Sequence, residues 1–91
     1  MTLNVEFQGM PRLFAQTREC TLEMPDQATY RDVLRVLADK YPRLVGPIIV
    51  RGTFDIEKDL MIAVDGLHAI ASLEDHPREG QQVTVMSENV G

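Results

Sequence analysis

An α+β domain, one mixed sheet packed against a single main helix, is the fold this sequence predicts. Three observations carry that expectation. Apolar and polar residues alternate near both ends of the chain, the period of a strand that covers a core with one face. Between these stretches, Tyr30 to Tyr41 repeats apolar residues at spacings of three and four, the period of an amphipathic helix. Strands, then a helix, then strands again ask for one sheet with the helix laid across one side.

Leu3, Val5 and Phe7 alternate with Asn4, Glu6 and Gln8, which predicts the first strand. Gly9 and Pro11 interrupt the pattern, and it returns as Cys20, Leu22 and Met24 against Thr21 and Glu23 until Pro25-Asp26 stops it. The two strands are expected to pair as a hairpin with a long turn over Gly9 to Gln16. Thr29 can cap a helix, and Asp32 three residues on places a carboxylate near the exposed amides, a weaker form of the capping box. Tyr30, Val33, Leu34, Leu37 and Tyr41 then form one apolar stripe, and Pro42 ends the helix near Tyr41.

From Arg43 to Asp59 the pattern is mixed: Leu44-Val45 and Ile48-Ile49-Val50 are apolar, but Gly46, Pro47 and Gly52 punctuate them too often for a long element. A loop that plugs the core is expected. Leu60, Ile62 and Val64 alternate with Met61 and Ala63, and Asp65-Gly66 is a tight-turn pair leading into a short return strand from Leu67 to Ala71. A polar turn from Glu74 to Gly80 precedes the last strand, where Val83 and Val85 alternate with Thr84 and Met86. Residues 87–91, Ser-Glu-Asn-Val-Gly, read as a short polar tail, so the expected organisation is one domain over 1–91 with that tail at its end.

Composition bounds the function. At 91 residues the chain holds one core. No apolar run approaches the roughly 20 residues that span a bilayer, and the first residues lack the basic-then-apolar pattern of a secretory signal, so a soluble, non-membrane protein is expected. The single cysteine, Cys20, cannot form an internal disulfide, which fits a reducing compartment and a cytoplasmic location. A net charge of −5 argues against a phosphate-tracking surface and thus against a nucleic-acid partner, while suiting a basic cleft in another protein.

No constellation supports independent catalysis. His68 and His76 lack a Ser or Cys nucleophile on a recognisable elbow. The acidic groups at Glu57-Lys58-Asp59 and Glu74-Asp75 lack calcium-loop spacing, and the glycines follow no phosphate-loop pattern. Neither a metal nor a cofactor is expected.

Several local motifs fall in a telling order. The first strand is followed by Arg12-Leu13-Phe14-Ala15, then Thr21-Leu22-Glu23-Met24-Pro25 and Thr29-Tyr30-Arg31-Asp32-Val33-Leu34. Next come Leu37-Ala38-Asp39-Lys40-Tyr41-Pro42, Ile62-Ala63-Val64-Asp65-Gly66, and Glu79-Gly80-Gln81-Gln82-Val83-Thr84-Val85. Together they span essentially the whole chain, which resembles the MoaD/ThiS family of sulfur carriers, the small subunit of molybdopterin synthase and its thiamine-pathway relative. The resemblance implies a ubiquitin-like β-grasp, with a mixed four- to five-stranded sheet on one main helix.

It also implies a carrier rather than an enzyme, with chemistry at the C-terminal glycine. There an activating enzyme condenses the carboxylate with ATP, and sulfur displaces the nucleotide to leave a thiocarboxylate. On this reading Gly91 is the charged residue, Asn89 and Val90 thread into the partner, and Met61, Ala63 and Met86 form a contact patch on the outer sheet face. The partners would be an adenylating enzyme and a larger sulfur acceptor such as the large subunit of molybdopterin synthase. The chain departs from the family in ending Asn89-Val90-Gly91 instead of in two glycines, and a β-branched Val90 adds bulk in a narrow channel. A tail of altered specificity, a sequence one glycine short, and an interaction module that is no longer conjugated all remain open. The polar Asn4, Glu6 and Gln8 face favours the last.

Overall fold

Alternation at the start of the chain builds strand β1, Thr2–Phe7, with Leu3, Val5 and Phe7 buried on its inner face. The computed structural model describes residues 1–66 and 68–88. Between β1 and the next strand, the expected long turn contains a short helix, α1, Met10–Ala15. Pro11 sits in its first turn, where a missing N–H costs no hydrogen bond. Pro11 and Ala15, four apart, are buried, and the helix stops at Gln16 in a left-handed conformation. A two-turn helix shows too few residues to display a period, and Gly9 and Pro11 look like turn punctuation whether or not a helix follows.

β2, Glu19–Glu23, pairs antiparallel with β1, with Leu3 opposite Leu22 and Val5 opposite Cys20. α2, Tyr30–Lys40, is the main helix. The capping box is complete: Thr29 Oγ1 accepts from the Asp32 N–H at 3.1 Å, and Asp32 Oδ2 accepts from the Thr29 N–H at 3.0 Å. Such a cap contributes about 1 kcal/mol. Tyr30, Val33, Leu34, Leu37 and Ala38 are its buried face, and the chain turns through a 3₁₀ segment, Pro42–Leu44, immediately afterwards. Phe7 packs edge-on against Tyr41, ring centroids 5.5 Å apart, and so ties the end of β1 to the end of α2.

The segment from Arg43 to Asp59 does plug the core. Leu44, Ile48 and Ile49 are fully buried, and the backbone polar groups that accompany them inward are satisfied locally. The Ile48 and Ile49 N–H groups donate to the Leu44 carbonyl, and the Ile49 carbonyl accepts from Gly46. Arg31 on α2 fastens this loop from outside, donating to the Thr53 carbonyl at 2.8 Å and to Asp55, while its Nε reaches Glu74 at 2.6 Å.

β3, Leu60–Val64, leads through Asp65 and Gly66, both at positive φ as a tight turn requires, into β4. β4 is only His68–Ala69, shorter than the expected return strand, and Ile70 adds one bond to the Ile62 carbonyl before the chain departs. β5, Gln82–Ser87, completes a sheet in the order β2-β1-β5-β3-β4. β5 runs parallel to β1 and antiparallel to β3, so the last strand lies at the centre of a five-stranded mixed sheet. Ser87, expected in the tail, belongs to this strand because Leu60 pairs with it.

Candidate functional site

The sheet face turned away from α2 is built by residues that alternate with the core set. Across its middle runs one row, Glu6, Thr84, Ala63 and Ala69, on neighbouring strands. Toward the C-terminal end of β5 the next position on this face pairs Met86 with Met61 across the strands. Both methionines are partly exposed, whereas Thr84 and Ala63 are buried. Small side chains at the sheet centre lie among longer ones on the same face, here Glu6, Gln82, Met61 and Met86. Ala63 therefore forms the floor of the expected contact trio and offers no surface of its own, with 0% exposed. Met61 and Met86 keep part of their surface open, and thioether side chains of this kind are flexible.

Beside this pair the face is polar. Glu6 accepts from Gln8 Nε2 and from Gln82 Nε2, each at 3.2 Å, so its carboxylate is engaged within the sheet surface. Asn4 is exposed and next to Thr21.

The exit of β5 lies at the same end of the sheet as the methionine pair. Val85 is the last residue of β5 to bond toward β1, its carbonyl accepting from the Gln8 N–H at 3.0 Å. β1 then leaves the sheet through Gly9, and Ser87 Oγ accepts from the Met10 N–H at 3.4 Å. On the opposite side, the Asp59 carbonyl accepts from the Glu88 N–H at 2.8 Å. Asp59 holds a positive φ of 68° to present that carbonyl. Gly9 and Asp59 were not legible as site residues, since one looks like a loop breaker and the other like a solvated acid. Asn89, Val90 and Gly91, the residues expected to thread and be charged, lie outside the described residues, as does Leu67.

At the other end of the sheet a polar cluster closes the fold. Buried Tyr30 donates to Gln81 Oε1 at 2.9 Å, and Gln81 Nε2 donates to Asp65 at 3.1 Å. Burial raises the Tyr30 phenol, while the Gln81 hydrogen bond, aided by Arg78, holds the Asp65 carboxyl below its usual range. These groups are bonded to one another and present no convergent set toward a substrate. His68 lies exposed on β4, and His76 is exposed with Nδ1 3.1 Å from the Ala28 carbonyl. Among the described residues, no three His, Cys, Asp or Glu side chains group to hold a metal, and no helix is long and apolar enough to cross a membrane.

A five-stranded mixed sheet with its final strand at the centre and one main helix defines the ubiquitin-like β-grasp class. The ThiS family model matches residues 12–87, and the chain belongs to that family. Solved structures share the fold. Small archaeal modifier protein 1 of Haloferax volcanii superposes with a TM-score of 0.84 at 16% identity, over 100% of this chain and 99% of that one. A candidate molybdopterin converting factor subunit 1 of Pyrococcus furiosus gives 0.77 at 23% identity, over 94% and 95%. Urm1 of Trypanosoma brucei gives 0.74 at 17% identity, over 99% and 94%. No curated protein sequence matches the chain.

Proposed function

We propose that this chain is a sulfur carrier charged at Gly91, with Met61 and Met86 as its contact patch and Asn89 and Val90 as the segment that enters the partner. The observation that carries the reading is the exit: the central strand ends at Ser87 beside the methionine pair, so a partner resting on that pair meets the chain as it leaves the sheet. Membership in the ThiS family supports the same reading.

The chemistry follows from the poor electrophilicity of a carboxylate. One carboxylate oxygen of Gly91 attacks the α-phosphorus of ATP, the bond to pyrophosphate breaks, and an acyl-adenylate forms. A sulfur nucleophile supplied as a sulfide equivalent then attacks the carbonyl carbon, and AMP leaves with the electron pair of the broken bond. The product is a thiocarboxylate, deliverable to a larger acceptor enzyme. The large subunit of molybdopterin synthase is the first candidate, on the strength of the Pyrococcus relative's description. The modifier description of the Haloferax relative favours a variant in which a protein amine takes the place of sulfur in the second step.

Intact mass after incubation with an activating enzyme, ATP and a sulfur donor separates these outcomes. Sulfur carriage predicts a rise equal to the difference between one sulfur and one oxygen. An amine acceptor predicts a covalent adduct of both chains, and an unchanged mass beside a competent control carrier would refute charging. The competing reading, an interaction module with an inert tail, is favoured by the Glu6-Gln8-Gln82 network, which keeps part of the outer face polar. In that case Val90→Gly should restore a mass shift absent from the parent if bulk in the tail is the obstacle.

A further inference from the structure

We infer that the exposed side of α2 carries a docking groove of its own, and that its occupant is a short extended segment of a partner protein in which acidic residues alternate with aliphatic ones. The inference stands apart from the sulfur-carrier reading, since it uses neither the chain terminus nor the methionine pair. The groove, about 540 Å³ in volume, lies between α2 and the turn at residues 50–55. Val36, Val45 and Phe54 supply apolar surface, and Arg35 and Arg51 stand in its wall. Val36 has 37% of its surface exposed on a helix whose other apolar residues are buried.

The turn that forms one wall is held rigidly. Phe54 has φ 58°, a left-handed conformation that a bulky aromatic residue rarely adopts. Its surroundings enforce it. The Phe54 N–H donates to the Val50 carbonyl at 3.0 Å and the Val50 N–H to the Asp55 carbonyl at 2.8 Å, while Arg31 on α2 holds the Thr53 carbonyl and the Asp55 side chain. Strain of this kind persists only where the surroundings over-determine it, and it gathers at ligand clamps. The ring meets the core yet stays partly exposed, and the Arg35 guanidinium lies over it, 5.0 Å from the centroid. That cation–π contact keeps the Arg35 charge at the groove.

Charge selects the occupant. The chain carries −5 overall, but among the charged residues of the groove Arg35 and Arg51 outnumber Asp39. The Arg35 side chain is 58% exposed, and its one ion pair, with Asp32, is long at 3.7 Å. Arg51 is exposed and makes no ion pair among the described residues. Guanidinium groups placed in this way recognise carboxylates, so an acidic segment is repelled by most of the surface and drawn here. Among the described residues no buried side-chain nitrogen or oxygen lacks a partner, so nothing polar waits inside the groove to orient a small molecule. Apolar surface beside exposed charges is instead the layout of a protein interface. In an extended segment successive side chains point to opposite sides, so one set meets Val36, Val45 and Phe54 while the other reaches the arginines.

The test titrates the isotope-labelled full chain, uncharged and at low salt, with a blocked hexapeptide alternating glutamate and leucine. Saturable shifts of the Val36, Val45 and Phe54 amides are expected, with half-saturation below about 1 mM, and the Met61 and Met86 amides should stay in place. Arg35→Glu/Arg51→Glu should weaken binding about tenfold or more, because each change turns an attraction into a repulsion. Two changes in the peptide probe the same contacts without altering the protein. Lysine in place of glutamate should abolish the shifts at the groove, and glycine in place of leucine should weaken binding about tenfold or more. No saturable shift at these three amides, equal shifts with the lysine peptide, or a charge-reversed variant that binds within about twofold of the parent overturns the inference. Shifts confined to Met61 and Met86 overturn it as well, because they place the acidic segment on the sheet face.

Discussion

Replacing Ile49 by alanine tests whether the segment from Arg43 to Asp59 is part of the core or a cover laid over it. Ile49 has 0% of its surface exposed. Its N–H donates to Leu44 and its carbonyl accepts from Gly46, both at 2.8 Å. These backbone bonds survive the substitution, so the loss is one of packing. Removing roughly three buried carbon atoms at about 0.8 kcal/mol each gives roughly 2.5 kcal/mol of transfer free energy. The cavity left behind brings the range to about 2–5 kcal/mol. That is a large share of the roughly 5–15 kcal/mol that holds a domain of this kind together.

Urea unfolding of Ile49→Ala should therefore show a midpoint far below the parent's at an unchanged slope, and a loss of about 3 kcal/mol should lower Tm by roughly 12–24 °C. Val36→Ala serves as the control. Val36 lies on α2 with 37% of its surface exposed, and its change should stay within about 0.5 kcal/mol. If Ile49→Ala costs less than about 1 kcal/mol, the loop is a surface cover and the core description is wrong.

Thr29→Ala should cost about 0.5–2 kcal/mol in the same assay by opening the capping box of α2. The Asp32 carboxyl is held below its ordinary value of 3.8, chiefly by the Thr29 backbone N–H. Its contribution is thus complete above that value and lost as pH falls through the lower folded value, and Asp32→Asn should flatten the acid limb of the stability curve; an unaltered limb would exclude this linkage. Burial, and then the hydrogen bond with Cys20, pushes the Tyr41 phenol from 10.0 to about 12. The unfolded chain ionises first, so stability should decline as pH rises from about 10 toward 12, with the tyrosinate absorbance of both Tyr30 and Tyr41 delayed; titration of both tyrosines near 10 would contradict their placement. Met86→Glu sets a charge beside Met61 and should weaken binding to the activating or acceptor enzyme about tenfold or more at unchanged circular dichroism, whereas unchanged binding would remove the patch.

Much of the fold was readable from local patterns. The inward set Leu3, Val5 and Phe7, the stripe from Tyr30 to Leu37, and the Thr29-Asp32 cap depend only on residues a few positions apart, and all are found where the patterns put them. α1 was missed because a helix of two turns shows no period, and β4 was overestimated because a tight turn signals that the chain reverses, not how long the strands stay together. Of the site, Met61 and Met86 were expected on one face and are paired there, while Ala63 was placed correctly but is fully buried. Gly9 and Asp59 gave no signal, since their role lies in what another strand does beside them.

By itself the sequence determined which residues face inward and where the main helix begins and ends. These follow from side-chain periods of two and 3.6, which are properties of the local backbone. Only the tertiary structure decided which strands are neighbours. Periodicity assigns a face but not a partner, and the contact between Met10 and Ser87 joins residues 77 positions apart. That pairing puts the last strand at the centre of the sheet, sets Met86 against Met61, and leaves the chain to depart between Gly9 and Asp59.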